Sequence, residues 1–159
     1  MNQLMDPLHV FRFHVDFKDA RLQGDPQDNN LPLCSGAFSE CTGLEATMEP
    51  KVIKAGGLNY GAFQRVGSVT FATVILKRGV VPNQDLWKWF EMTTSKGHYA
   101  YRLTVTITMQ NMSRKPVLKW QVVRALPTKF KAADFNAKGT EVGVEELHLV
   151  HEGLSLVSV

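Results

Sequence analysis

Residues 101–110 read YRLTVTITMQ, an unbroken alternation of apolar and polar side chains. A period of two residues predicts a β-strand with one buried face and one polar face. Asn111–Lys115 has the polar composition of a turn, and residues 117–125, VLKWQVVRA, then alternate again. The sequence therefore predicts an antiparallel hairpin, which we call the central hairpin.

The flanking sequence predicts further strands. Leu8–Phe17 alternates, with Phe11, Phe13, Val15 and Phe17 on one face. Val69–Lys77 is apolar on both faces and predicts a strand that is covered on both sides. Thr140–Leu156 predicts a long strand, and a shift of its apolar phase predicts a bulge at Glu145-Glu146. The short basic stretch Lys77-Arg78-Gly79 is typical of a solvated turn.

One helix is predicted between these strands. Asn83 is placed to cap it, Asp85 lies in its first turn and Gly97 marks its end. Its apolar stripe is formed by Leu86, Trp87, Phe90 and Met92. This stripe places Trp87 in the core and leaves Trp89 partly exposed.

Two segments do not fit a compact core. Residues 18–32 are polar and contain glycine, proline and asparagine, which predicts a long surface loop. Residues 45–61 predict a protruding hairpin, because this segment contains Gly56-Gly57 and few bulky apolar groups. Six to eight strands around one helix predict a mainly β barrel or sandwich, with residues 1–159 forming a single domain.

The composition excludes several classes of protein. Of 159 residues, 44% are hydrophobic and 21% charged, which favours an ordered globular domain over disorder. The net charge of +3 is too balanced to indicate sequence-specific nucleic-acid binding or an anionic membrane partner. Met1–Pro7 lacks an apolar run, and no stretch approaches the roughly 20 apolar residues of a membrane helix. We expect synthesis in the cytoplasm without a signal peptide.

No catalytic or cofactor-binding motif emerges from the sequence. It contains no glycine-rich phosphate loop, no G-x-S-x-G elbow and no H-E-x-x-H. Cys34 and Cys41 are predicted to be inert thiols, and His148 and His151 lie on opposite faces of a strand. Glu145 and Glu146 point apart on a strand, so they do not form an acid-base pair. We therefore predict a protein that is not an enzyme and has no metal or cofactor.

Four segments resemble the contractile phage tail-tube family, in that family's order. Residues 38–45, FSECTGLE, resemble its F-x-E-x-x-G-L opening, and residues 74–80, VILKRGV, resemble its L-K-R-G strand end. Residues 120–127, WQVVRALP, resemble its W-x-x-x-x-A-x-P strand. Asp134-Phe135-Asn136-Ala137 followed by Val144–Leu149 resembles its D-F-x-A and E-x-L-x-L signature.

The resemblance implies a two-sheet tail-tube β-barrel, similar to the haemolysin-coregulated protein of type VI secretion. It implies hexameric rings stacked into the inner tube of a contractile injection particle, with cargo in the lumen. The implied partners are further copies of the chain, a sheath protein, and baseplate and cap proteins. The 18–32 loop is longer than in the simplest members, so a tube-initiating ring at the baseplate remains an alternative to the main tube.

Two sets of residues are candidates for assembly. The first is expected to mediate stacking between rings: Lys51, Val52, Lys54, Gly56, Gly57, Leu58 and Tyr60. The second is the polar face of the central hairpin, expected to line the lumen: Arg102, Thr104, Thr106, Thr108, Lys119 and Gln121. Repeated in a ring, Arg102 and Lys119 would form positive bands that attract an acidic cargo. The alternative for this polar face is the solvent side of a surface strand.

A small-molecule-binding β-barrel is an alternative from a different class of protein. The alternation of residues 101–110 suits such a carrier equally well. Molecular size separates the two hypotheses, because a carrier would be a monomer or dimer.

Overall fold

The computed structural model describes residues 7–19, 35–57, 59–95 and 102–159. In these residues the chain forms one helix, α1 (Asp85–Thr94), and twelve strands. The strands are β1 (Phe13–Asp19), β2 (Ser35–Gly36), β3 (Glu40–Thr42), β4 (Ala46–Met48), β5 (Lys51–Ile53), β6 (Phe63–Arg65), β7 (Val69–Phe71), β8 (Val74–Gly79), β9 (Leu103–Gln110), β10 (Pro116–Lys131), β11 (Val144–Val150) and β12 (Gly153–Val157). The prediction of a mainly β protein with one helix is confirmed. The strands outnumber the predicted six to eight because several predicted strands are interrupted.

Eight strands form one sheet in the order β2-β1-β9-β10-β11-β8-β3, with β12 also paired to β10. The long β10 joins two halves of this sheet. Its first part pairs with β9 and β12, and its last part pairs with β11. Arg124, with φ +52°, lies between the two parts, where the register with β9 shifts. Within the described ranges, β2 and β3 do not pair with each other, so hydrogen bonding does not close the sheet.

The predicted central hairpin is confirmed. In β9 and β10, Trp120 is opposite Ile107, and Val122 is opposite Val105. The predicted turn at residues 111–115 is held by Asn111, whose Oδ1 accepts hydrogen bonds from the backbone N–H groups of Ser113 and Lys115. Tyr101, the first residue of the predicted strand, lies outside the described residues.

The core lies between the apolar faces of the two halves of the sheet and under α1. Its fully buried side chains include Val15, Val74, Leu76, Leu86, Trp89, Leu103, Val105, Val122, Leu147 and Leu149. These come from β1, β8, α1, β9, β10 and β11, so the core joins segments from most of the chain. Burial of each aliphatic side chain stabilises the fold by about 1.5–3 kcal/mol relative to exposure.

The helix begins later than predicted and presents a different face. Its N-terminal flanking residue is Gln84, and no side chain caps it, so the capping role predicted for Asn83 is wrong. The assignment of the two tryptophans is also wrong. Trp89 is fully buried and meets Phe17 edge-on, whereas Trp87 is 42% exposed. The predicted end at Gly97 lies outside the described residues.

Several predicted strand boundaries are corrected. The predicted strand at 8–17 begins only at Phe13, and Phe11 is 60% exposed. The predicted strand at 69–77 is broken at residues 72–73, and the one at 140–156 is broken at residues 151–152. Strand β10 continues beyond the predicted strand at residues 117–125, as far as Lys131. Each error has one cause: apolar content does not reveal where a chain leaves one sheet partner for another.

Candidate functional site

Five of the six candidate lumen residues, all except Arg102, lie on one face of the main sheet. Register places Lys119 opposite Thr108, and Gln121 opposite Thr106. On the other side of β9, strand β1 places His14 opposite Thr108, Asp16 opposite Thr106 and Lys18 opposite Thr104. Antiparallel partners point to the same side of a sheet. The polar residues of three strands therefore form one continuous surface, which we call the polar face.

The polar face carries one close polar contact, between two side chains of β1. Nε2 of His14 lies 2.9 Å from Oδ1 of Asp16. The side chains of His14, Asp16, Lys18, Thr106, Thr108 and Lys119 line a shallow groove of about 280 Å³. Thr108 is buried, whereas Thr104, Thr106, Lys119 and Gln121 are half-buried. The surface is a dense polar layer with basic side chains at its edges.

Arg102 is the exception on this surface. Its Nη1 donates to the carbonyl oxygen of Arg124 at 3.3 Å and lies 3.5 Å from a carboxylate oxygen of Glu152. The other carboxylate oxygen of Glu152 accepts from Nε of Arg124 at 2.9 Å. Because Glu152 offsets part of its charge, Arg102 contributes less to a positive band than the sequence suggested.

The candidate stacking residues lie on a two-stranded arm, which we define as residues 46–71. Strand β4 pairs with β7, and β5 pairs with β6 further out. In these four strands every residue except Phe71 is exposed. Exposed apolar side chains on the arm include Met48, Val52, Ile53, Tyr60, Phe63, Val66 and Val69. Such a set of uncovered apolar groups on one projection is typical of an interaction surface.

The structure places the stacking candidates at the outer part of the arm. Lys51 and Val52 belong to β5, and Lys54 follows it. Gly57 has φ +85°, a conformation that favours glycine, and with Gly56 it forms a turn. Tyr60 is 97% exposed. Leu58 lies outside the described residues.

Close backbone packing joins the inner strand pair of the arm to the outer one. A Cβ atom on Gly67 would lie 1.7 Å from the carbonyl oxygen of Glu49, so only glycine fits there. The arm is closed by backbone hydrogen bonds from Glu49 to Ser68 and from Ala72 to Glu45. The ring of Phe71 lies 5.0 Å from that of His151, between β11 and β12. The arm is therefore attached to the body of the protein in a defined direction.

A buried ionic cluster was missed by the sequence analysis. Arg78 is 4% exposed, and its guanidinium faces two buried carboxylates. Its Nε donates to Oε1 of Glu145 at 2.5 Å, and its Nη2 donates to Oδ1 of Asp85 and to the carbonyl oxygen of Asn83. The guanidinium also lies 5.7 Å from the centre of the Phe38 ring. The cluster fastens the start of α1 to strands β8 and β11.

The alternation of residues in β8 and β11 could have predicted that Arg78 and Glu145 are buried. Arg78 follows Val74 and Leu76 at spacings of two, and Glu145 precedes Leu147 and Leu149 in the same way. The register between β8 and β11 is continuous, with Glu145 opposite Arg78, so the bulge predicted at Glu145-Glu146 is wrong. The prediction that Arg78 lies in a solvated turn is also wrong.

The remaining reactive side chains do not converge. In the described ranges no group of three or more His, Cys, Asp or Glu side chains is placed to hold a metal ion. Cys41 is half-buried, and burial raises the pKa of its thiol to about 11, which makes it a poor nucleophile at neutral pH. His148 contacts Glu146 at 2.5 Å and, through the hydrogen bond, lowers the pKa of that carboxyl. Cys34 lies outside the described residues. The described part also contains no helix long and apolar enough to cross a membrane.

The chain belongs to the T4-like virus tail tube protein gp19 family, whose model matches residues 9–155. It is thus a tail tube protein, and the family is one of structural proteins. No curated protein sequence matches the chain.

Solved structures show the same fold. A chain in the cryo-EM structure of the anti-feeding prophage (AFP) baseplate has a TM-score of 0.78 and 23% identity, over 97% of each chain. A chain in the PVC sheath-tube complex of an extracellular contractile injection system, in its extended state, has a TM-score of 0.77 and 20% identity, over 98% of this chain and 95% of that one. Hcp1 from Flavobacterium johnsoniae has a TM-score of 0.55 and 10% identity, over 90% of this chain and 94% of that one.

Proposed function

We propose that this chain is the inner-tube subunit of a contractile injection particle and forms stacked hexameric rings around a lumen that conducts cargo. One observation carries the proposal: the chain is a tail tube protein, and its own fold leaves the apolar side chains of the arm exposed to solvent. Val52 is 55% exposed, and Phe63 is 59% exposed. Burial of such side chains against another copy would favour stacking by about 25 cal/mol for each Å² of apolar surface removed from water.

Strand edges supply a second contact, within a ring. β12 pairs with β10, and its opposite edge has no strand partner in the described part of the chain. At the other end of the same half of the sheet, β2 covers β1 only at Val15 and Asp16. Two different edges that pair head to tail make a heterologous contact, and such contacts close into a ring when the rotation allows. Edges used in this way no longer risk uncontrolled aggregation.

The polar face is the surface that we assign to the lumen. A channel for cargo needs side chains that hydrogen-bond to water and do not bind the cargo tightly. Short hydroxyl groups at the half-buried Thr104 and Thr106 meet that need, and Lys18 and Lys119 add positive charge. The cargo favoured by this surface is acidic, and its attraction should weaken as salt is added.

The proposed partners follow from the same machine. One solved relative comes from a sheath-tube complex, another from a six-fold symmetrised baseplate, and a third from a tube-terminating cap. We propose that this chain likewise contacts a sheath protein and the proteins at the two ends of the tube, and that it acts without catalysis in an assembled particle. The copy number per particle separates the main tube from a tube-initiating ring at the baseplate, because an initiator is present in one or a few rings.

Sizing and negative-stain microscopy of the purified protein test the proposal. We expect rings or tubes from the wild-type chain, and a folded protein that no longer stacks when residues 55–59 are deleted. Phe63→Lys should also block stacking, whereas Gln64→Lys, on the same strand and with the same added charge, should leave it intact. A wild-type chain that stays monomeric or dimeric at high concentration contradicts the proposal and favours a small-molecule carrier.

A further inference from the structure

We propose that His151 is a pH-sensitive latch for the arm: the neutral imidazole holds the base of the arm to the body of the protein, and protonation of the imidazole loosens it. His151 lies at the break between β11 and β12, where Phe71 of the arm meets the body. The latch rests on the proposed function only where tube assembly is concerned, because the arm is the surface that we expect to stack.

The attachment of the arm depends on few contacts. Phe71 is the one half-buried residue of the four arm strands, and its ring lies 5.0 Å from that of His151, tilted by 42°. Beside it, the backbone N–H of Ala72 donates to the carbonyl oxygen of Glu45 at 3.1 Å. An isolated strand pair is at best marginally stable in water. A change at His151 therefore alters a large share of what holds the arm.

The two ring nitrogens of His151 are buried without a partner. The residue as a whole is half-buried, but neither nitrogen is accessible to water, and neither has a hydrogen-bond partner in the part of the chain that the structure describes. A neutral imidazole has one N–H donor, whereas the imidazolium has two. Burial of a polar group without a hydrogen bond is unfavourable, and burial of an unpaired charge is more so. The site therefore disfavours the protonated ring.

Burial lowers the pKa of His151 below its ordinary value of 6.5. The nearby backbone of Gly153 and Ala72 favours the protonated ring without forming a hydrogen bond to it, and its effect is smaller than that of burial. Opening of the base exposes the ring to water and returns the pKa to the ordinary value. The open state then binds a proton more readily than the attached state. Attachment is therefore strongest above about pH 6.5 and weakens as the pH falls towards the lowered pKa.

The charged groups around His151 do not offset this proton. Glu152 follows it in the chain but faces the guanidinium groups of Arg124, at 2.9 Å, and Arg102, at 3.5 Å. Glu45 is exposed and approaches the base through its backbone. The arm itself contributes an aromatic ring and no charge to the contact. Burial and the backbone thus determine the pKa of His151, and a proton that binds there has no anionic partner among the described side chains.

Hydrogen exchange over a range of pH tests the latch in the full-length chain, at a concentration below that of assembly. Exchange rates of the arm amides are divided into the rates of an unstructured peptide at each pH, which gives protection factors. We expect the protection of residues 46–71 to fall roughly threefold or more between pH 7.5 and pH 5, since one unit of difference in pKa corresponds to a factor of about ten. Protection of β9 should stay constant.

A pair of variants assigns the effect to one histidine. His151→Phe keeps an aromatic ring beside Phe71 and cannot be protonated, so its arm protection should not change over the same range. His148→Gln removes a histidine of the adjoining strand and should keep the wild-type pH dependence. NMR titration of the ring protons in the wild-type chain gives the pKa of His151 directly and serves equally well if His151→Phe does not fold.

Three results would overturn the latch. They are arm protection that does not change with pH in the wild-type chain, a pH dependence that persists in His151→Phe, and a pKa of His151 at or above 6.5. Protection that rises in acid has the same consequence, because it would show that the contact of the imidazolium with the Phe71 ring outweighs burial.

Tube assembly provides the second readout. The protein concentration needed for assembly should rise threefold or more as the pH falls from about 7.5 to 5 in the wild-type chain and in His148→Gln, but not in His151→Phe. Assembly that is equally insensitive to pH in all three, together with constant arm protection, overturns the latch and leaves the proposed function standing. A wild-type chain that assembles at no pH overturns the proposed function, whereas the exchange experiment still decides the latch.

Discussion

The guanidinium of Arg78 balances one of the two buried carboxylates that surround it. The side chains of Arg78, Asp85 and Glu145 are only 3–5% exposed, so water screens their charges weakly. Removing the cation leaves two buried anions without a partner, which typically costs 3–5 kcal/mol. This cluster is therefore the most sensitive polar feature of the described fold.

We predict that Arg78→Met lowers the free energy of unfolding by about 3–5 kcal/mol in urea denaturation. Lys77→Met is the control on the neighbouring outward position, where an exposed pair contributes about 1 kcal/mol or less. The triple variant Arg78→Met, Asp85→Leu, Glu145→Leu should recover most of the loss, since no charge remains buried. A loss below about 1 kcal/mol for Arg78→Met alone would show that the cluster is solvated.

The three tryptophans should differ in their contributions to stability. Trp89 is fully buried, so Trp89→Ala should lower the free energy of unfolding by about 3–5 kcal/mol. Trp87 is 42% exposed, so Trp87→Ala should lower it by less than half as much. Trp120 and Phe71, which alternation predicts to be buried, are both half-buried, so we expect Trp120→Ala to fall between the other two. Urea melts in which Trp87→Ala proves as costly as Trp89→Ala would contradict this order.

At the scale of elements, the arm consists of two short strand pairs. Its stability depends on the base, where it joins the body of the protein. Phe71, at the base, is the one half-buried residue of the four arm strands, and all their other residues are exposed. An isolated two-stranded hairpin is at best marginally stable in water. The base of the arm is held by the contact between Phe71 and His151, and the outer strand pair is held to the inner one by the tight backbone contact at Gly67.

We predict that Gly67→Ala disrupts the arm without unfolding the body. The new methyl group would collide with the carbonyl of Glu49, and backbone atoms there must move. The melting temperature should change by only a few degrees, whereas tube formation in negative stain should be lost. Gly56→Ala is the matched control, because a Cβ at Gly56 meets nothing within 4 Å. Normal tubes from Gly67→Ala would show that stacking does not need the native arm.

At the scale of the whole molecule, the fold separates two kinds of surface. The polar face combines the polar residues of β1, β9 and β10, whereas the apolar residues of the arm lie on strands outside the main sheet. An assembled tube needs both, since one surface must be hydrated and the other must bind copies of the chain. The role of the polar face is open to an electrostatic test.

We predict that Lys119→Glu leaves tubes intact and reduces loading of an acidic cargo at low salt. The effect should shrink at high salt, because exposed charges are then screened. Arg102→Glu should act less cleanly, since it also places a carboxylate beside Glu152. Lys88→Glu, at an exposed position on α1, is the control for net charge. Unchanged loading in Lys119→Glu tubes at low salt would show that the polar face does not line the channel.

The sequence alone determined the mainly β class, the central hairpin and its turn, and the family. These depend on strict alternation over residues 101–110 and on four short motifs in order, which are local properties of the chain. Alternation also assigned Thr108 and Lys119 to the same kind of face, although only strand register placed them opposite each other.

Only the tertiary structure decided the partners of Arg78, the inward face of the helix and the breaks in the long strands. Each depends on segments far apart in the chain. Glu145 is separated from Arg78 by 67 residues, and the orientation of Trp89 is set by contact with Phe17 of β1. A periodic pattern records which side of an element is apolar, but it does not record which distant segment covers that side. For the same reason, the sequence does not show that a charged residue in an apolar alternation is buried, because its partners lie on distant segments.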